Sequence, residues 1–156
     1  MKNNLSVNQL KAYPIFKSLE ESDIQIFSKK IKIKEYKKNS IIIKEGDNGN
    51  SVLFLIEGDI SITQALTLRT NKYENSDNRE KELIRINSNE QKFTFGEVSL
   101  FKSDMKRTAS VKSNSQCIIG ELSFPDIFKI CDDNNSIGYM IMKNIGAIIT
   151  QQLMLS

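Results

Sequence analysis

The sequence predicts a mainly β fold with flanking helices: an antiparallel barrel or jelly roll of about eight short strands. Three observations predict it. Short apolar runs alternate with turns in which glycine stands beside Asp, Asn or Glu, as in Glu45-Gly46-Asp47-Asn48-Gly49-Asn50 and Glu57-Gly58-Asp59. Such pairs suit tight turns that need positive φ. Apolar residues at helical spacing are confined to the two ends of the chain.

The elements follow in order. Residues 1–12 are polar and read as loosely ordered chain or a short helix, so residues 1–13 are expected as an N-terminal tail and 14–156 as the domain. Tyr13-Pro14 is extended, because the residue before proline avoids the α region. Ile24, Phe27 and Ile31 predict an amphipathic helix over 19–30, with Ser18 or Ser22 available as its cap. The period then drops to two at Ile31-Lys32-Ile33-Lys34, and Asn39-Ser40 breaks that strand. Ile41-Ile42-Ile43, Val52-Leu53-Phe54-Leu55-Ile56 and Ile60-Ser61-Ile62 are further strands.

Residues 63–82, with Asn71-Lys72-Tyr73-Glu74-Asn75-Ser76-Asp77, are too polar to pack and read as a long hairpin loop or insertion. Leu83-Ile84-Arg85-Ile86 resumes the sheet, followed by Phe93-Thr94-Phe95, Ala109-Ser110-Val111 and Cys117-Ile118-Ile119-Gly120-Glu121-Leu122. Ser123-Phe124-Pro125-Asp126 opens a helix, with proline in its first turn. After the break at Asp132-Asp133-Asn134-Asn135, Ile137, Met140, Ile141, Ile145, Ile148, Ile149 and Leu153 mark a long helix. Met142, Ala147 and Met154 widen its apolar stripe, which suggests a face for a second copy or an effector protein.

Composition excludes several function classes. The chain of 156 residues has no histidine, which removes His-based acid–base or nucleophilic catalysis and most zinc or iron sites. No catalytic residue, metal site or cofactor is therefore expected, and the chain does not read as an enzyme. A net charge of +3 is too mild to indicate nucleic acid, and Lys29, Lys30, Lys32, Lys34, Lys37 and Lys38 read as a solvated face. Cys117 and Cys131 lack CxxC spacing and are expected as free thiols of a reducing compartment. Neither a signal peptide nor a membrane-spanning run is visible. The expectation is a cytoplasmic protein without membrane or nucleic-acid partners.

The chemistry is concentrated in residues 95–111. An arginine ahead of small residues at a strand edge, Arg107-Thr108-Ala109, can fork onto a phosphate. Small neighbours let backbone amides approach the same anion. A short helical turn over 98–101 would add N-terminal amides. Glu97, beside Gly96 and ten residues earlier, can accept a sugar hydroxyl, and within reach of Arg107 each side chain would orient the other. An anionic, hydroxyl-bearing small molecule is the ligand class.

These residues resemble the cyclic nucleotide-binding domain family of catabolite activators, kinase regulatory subunits and gated channels. Three blocks carry the likeness: residues 45–50 with 53–58, Phe95-Gly96-Glu97-Val98-Ser99-Leu100, and Arg107-Thr108-Ala109-Ser110-Val111. It implies an eight-stranded antiparallel β-roll with an N-terminal helix and two C-terminal helices. It also implies cyclic AMP or cyclic GMP as ligand, with Arg107 on the cyclic phosphate and Glu97 on the ribose 2′-hydroxyl. Amides of Gly96, Val98, Ser99 and Ala109 would assist, with Phe95 leading into the cassette and Thr108 near phosphate or base. The sequence departs from the pattern at Lys106, where proline is frequent, and at Lys92-Phe93, where Gly-Asp is usual. No helix-turn-helix segment follows the long helix, and a lid over the base would be short, absent or borrowed. The implied role is a stand-alone sensor whose C-terminal helices repack on binding. The alternative is a degenerate domain that serves docking or dimerisation without ligand.

Overall fold

A computed structural model describes residues 5–65 and 80–155. The described chain holds eight strands: β1 Lys32–Tyr36, β2 Ile41–Ile43, β3 Ser51–Glu57, β4 Asp59–Ala65, β5 Glu80–Asn87, β6 Phe93–Phe95, β7 Ser110–Ser113 and β8 Cys117–Ser123. They form two four-stranded sheets, in the orders β1-β8-β3-β6 and β2-β7-β4-β5, and all named pairs are antiparallel. The helices are α1 Val7–Leu10, α2 Glu21–Ser28, α3 Phe124–Asp133 and α4 Asn135–Leu155, with 3₁₀ turns at Pro14–Phe16 and Glu97–Phe101. This is a β-roll with helices at both ends, as the sequence predicted. The segment 63–82 expected as a loop is strand at both described ends, where Thr63, Gln64 and Ala65 of β4 pair with Glu82, Lys81 and Glu80 of β5; residues 66–79 lie outside the described residues.

Strand β3 explains the architecture. Ser51 through Leu55 are all buried, because both faces of this central strand are covered. Val52 and Phe54 belong to the core under the helices, whereas Leu53 and Leu55 belong to the core inside the roll. A continuous apolar run, rather than an alternating one, is what such double burial requires. Phe16 stacks on Phe54 at 5.7 Å, and Tyr13 meets Phe54 edge-on at 5.2 Å. The buried Tyr13 hydroxyl donates to the Leu55 carbonyl at 2.6 Å, and burial pushes its pKa up to about 12.

Helix placement corrects several expectations. Of the two readings of the first residues, the short helix is the one found: Val7–Leu10 form α1, capped by Ser6, and Leu5 and Leu10 join the helix-side core. Helix α2 is shorter than 19–30, and its N-cap is Glu20, so neither Ser18 nor Ser22 caps it. Ser18 instead takes a positive φ of 68°. Ser123 does cap α3, accepting from the Asp126 amide at 3.2 Å. In α4, Ile137, Ile141 and Ile145 are buried, Met142, Ile148 and Ile149 pack partly against the same core, and Ala147 is exposed. The side chains of Leu153 and Met154 lie outside the described residues. Asn144, buried in the middle of α4, donates to the carbonyls of Ile15 and Lys17 at 2.9 Å each, fastening α4 to the first 3₁₀ turn.

Among the described residues no helix is long and apolar enough to cross a membrane, and no cluster of metal-ligating side chains occurs.

Candidate functional site

Strand β6 ends at Phe95, and the chain turns at Gly96, whose φ of 92° is left-handed and suits a residue without a β-carbon. Gly96 is the N-cap of the 3₁₀ turn Glu97–Phe101, which begins one residue earlier than the expected turn at 98–101. The returning segment then pairs with the turn between β2 and β3. The Arg107 amide donates to Asp47 at 2.8 Å, Gly46 donates to the Arg107 carbonyl at 2.9 Å, and Gly49 donates to Met105 at 2.8 Å. This clamp explains why the glycine-rich turn and the cassette are both needed. Each holds the other's backbone.

The clamp carries Arg107 inward, where it is only 7% exposed. Its guanidinium donates through Nη1 to the Gly96 carbonyl at 3.0 Å and through Nη2 to Ser51 Oγ at 3.2 Å. Two glycines make the room. A β-carbon on Gly49 would overlap the guanidine Nε and Cζ, and one on Gly96 would lie 2.6 Å from Nη1. Burial pulls the Arg107 pKa down, opposed by the negative charges of Glu121 and Glu97. An arginine nevertheless keeps its proton in proteins, so a cation is held inside the fold. Its bonds to Gly96 and Ser51 are to neutral acceptors.

Glu97 is fully buried. Thr94 Oγ1 donates to its Oε2 at 2.7 Å, whereas Oε1 has no hydrogen-bond partner. Burial raises the carboxyl pKa, against the pull of the Thr94 hydroxyl, the Glu97 amide and the Arg107 charge. The mutual orientation expected of Glu97 and Arg107 is not a direct ion pair. The carboxylate is oriented by Thr94 and the guanidinium by Gly96 and Ser51.

The remaining expected residues surround these two. Phe95 is buried in the core inside the roll, Ser99 is buried with its hydroxyl on the Lys106 carbonyl at 3.1 Å, and Val98 and Ala109 are half-buried. Thr108 is half-buried, and its carbonyl accepts from Gln64 Nε2 at 3.2 Å. Arg107 lines a polar cavity of about 230 Å³ together with Lys34, Tyr36, Lys44, Gly49, Ser51 and Glu121. Glu97, Val98, Thr108 and Ala109 do not line it. The cavity is smaller than the roughly 300–1,000 Å³ of ligand pockets of drug size. Lys34 Nζ meets Glu121 Oε2 there at 2.9 Å.

Gly49, Ser51 and Thr94 are the contributors that the residue pattern did not single out. Gly49 belongs to the segment 45–50, where the sequence alone marks it as a turn glycine. Ser51 and Thr94 carry no local signal, because their roles come from partners met only in the folded chain.

An orphaned buried oxygen and a cation seated between two glycines fit a ligand that brings both a hydroxyl and an anion. Comparison with known proteins agrees at the level of family. The pattern of the cyclic nucleotide-binding domain matches residues 33–134, well over half of the chain. The cAMP-activated global transcriptional regulator Vfr of Pseudomonas aeruginosa is 27% identical over 111 residues, covering 69% of this chain and 46% of the relative. The chain thus spans about half the length of that relative. A cyclic nucleotide-binding domain from Methylobacillus flagellatus superposes with a TM-score of 0.77 at 13% identity, covering 97% of this chain and 81% of the other. The catabolite activator protein of Thermus thermophilus superposes with a TM-score of 0.71 at 18% identity, covering 90% and 58%. The family match, on a β-roll whose cassette holds Glu97 and Arg107 in place, makes this chain a member of the cyclic nucleotide-binding domain family.

Proposed function

We propose that the chain is a regulatory module that binds cyclic AMP or cyclic GMP and catalyses no reaction. The observation that carries this reading is the pair of unmet polar groups in one cassette. The Arg107 cation bonds only neutral oxygens, and Glu97 Oε1 is buried without a partner. A cyclic phosphate supplies the anion for Arg107, and the ribose 2′-hydroxyl supplies the donor for Glu97. Amides of Gly96, Val98, Ser99 and Ala109 close on the phosphate, Phe95 backs the cassette, and Thr108 stands near phosphate or base.

Helix α4 touches both the Pro14–Phe16 turn and the cassette turn Glu97–Phe101. Ligand binding would therefore favour one packing of α4 over another, which is how an occupied site is read by a second copy or an effector. The whole-length relatives include transcription regulators, so an effector that contacts DNA belongs to this reading. A cytoplasmic location accompanies it.

A second reading, docking or dimerisation without ligand, is favoured by the groove along α3 and α4, where Phe128 and Tyr139 are 44% and 65% exposed. Thermal denaturation separates the two. A native-state ligand at a hundredfold excess over its Kd stabilises by about 2.7 kcal/mol, so a melting temperature raised by several degrees supports the sensor. An unchanged one with both nucleotides supports docking.

A further inference from the structure

Strand β6 places Thr94 directly opposite Phe54, on the sheet face covered by the helices, while Phe93 and Phe95 turn into the roll. Thr94 is 3% exposed. A buried position opposite a phenylalanine on an apolar face suits valine, which has the same shape as threonine without the hydroxyl. The hydroxyl has one partner, Glu97 Oε2, at 2.7 Å. That distance is normal for a hydroxyl donating to an oxygen.

The consequence falls on the other oxygen. Once Oε2 is held by Thr94, Oε1 is the one left over, and it is the only buried side-chain nitrogen or oxygen without a partner among the described residues. A buried polar atom left unpaired is costly, and a donor that reaches it is correspondingly favoured. A carboxylate free to rotate would divide its time between orientations and lose part of that advantage.

We infer that Thr94 is a positioning residue for ligand recognition: it fixes the Glu97 carboxylate so that Oε1 is presented to a donor hydroxyl of the nucleotide's sugar. This rests on the reading of the chain as a cyclic-nucleotide binder, and the experiment separates the two. Cyclic AMP and 2′-deoxy cyclic AMP are titrated against the wild-type chain, Thr94→Val, Thr94→Ala and Thr94→Ser. Wild type prefers the ribonucleotide by about ten- to a hundredfold, the range of a hydrogen bond to a charged group. Thr94→Val reduces that preference to a few-fold and barely changes affinity for the deoxynucleotide, and Thr94→Ser restores it. Thr94→Ala, smaller than threonine, repeats the Val result and stands in for it if Val disturbs the packing against Phe54. A structural loss would weaken both nucleotides equally, and that result overturns the inference, as does an unchanged preference in the folded variants. Equal wild-type affinities also overturn it and leave the binding function standing. Failure of wild type to bind either nucleotide removes the functional reading itself.

Discussion

Gly49 and Arg107 touch so closely that the glycine leaves no space for a β-carbon, which would overlap the guanidine Nε and Cζ. The turn between β2 and β3 and the arginine of the cassette are therefore one unit. Gly49 also donates its amide to Met105, two residues before Arg107.

Gly49→Ala is expected to displace the guanidinium while leaving the fold intact, because the atoms in the way belong to the far end of a flexible side chain. The expected outcome is at least tenfold weaker cyclic-nucleotide binding with a change in stability within about 1 kcal/mol. Calorimetry and thermal melting on the same sample check both halves.

Gly58 gives the opposite dissociation. Its φ is 122°, and a β-carbon would lie 2.5 Å from Cys117 Sγ and 2.8 Å from the Gln116 carbonyl, which is backbone. Gly58→Ala is expected to cost about 1–3 kcal/mol through strain and overlap. Ligand affinity measured well below the melting temperature should stay near wild type. Denaturant unfolding measures the cost.

Glu97 predicts a pH dependence. Burial raises its folded pKa above the ordinary 4.5, so just above that pH the folded chain keeps a proton that the unfolded chain has released. Stability associated with this group is present below about pH 4.5 and is lost as pH rises through the folded pKa. Asp59 runs the other way. Although burial raises it, bonds from Asn114, Arg85 and Asn87 hold it below its ordinary 3.8, so its contribution is lost only as pH falls through the folded value. In Glu97→Gln the first slope disappears. The melting temperature of the variant minus that of wild type should grow between pH 4.5 and 7, and a flat difference would contradict the assignment.

Asn144 predicts a stability effect far from the cassette. Its side-chain amide satisfies the carbonyls of Ile15 and Lys17. Asn144→Leu leaves a buried carbonyl without its donor and removes two hydrogen bonds, an expected loss of about 2–4 kcal/mol. Urea unfolding checks it.

These relationships show what the sequence could and could not disclose. Strands β2 to β4 were legible because their turns are written locally in Gly46, Gly58 and their acidic neighbours, and α4 because isoleucine recurs at helical spacing. Glu97 and Arg107 were legible because chemistry and spacing place them in one cassette. Their orientation was not. Arg107 turns to Ser51, 56 residues away, and Asn144 reaches Ile15 across 129 residues. No local pattern records which distant segment a side chain meets. Leu5 and Leu10 were missed for a related reason, since isolated leucines among polar residues show no period until a core receives them.

In the proposed function Arg107 holds a cyclic phosphate. Calorimetric titration of cyclic AMP and cyclic GMP into the wild-type chain and Arg107→Ala tests it most directly. A Kd in the micromolar range or tighter for at least one nucleotide, weakened at least a hundredfold in the variant, is the predicted result. Binding that is unaltered in Arg107→Ala, or no heat with either nucleotide in wild type, would contradict it.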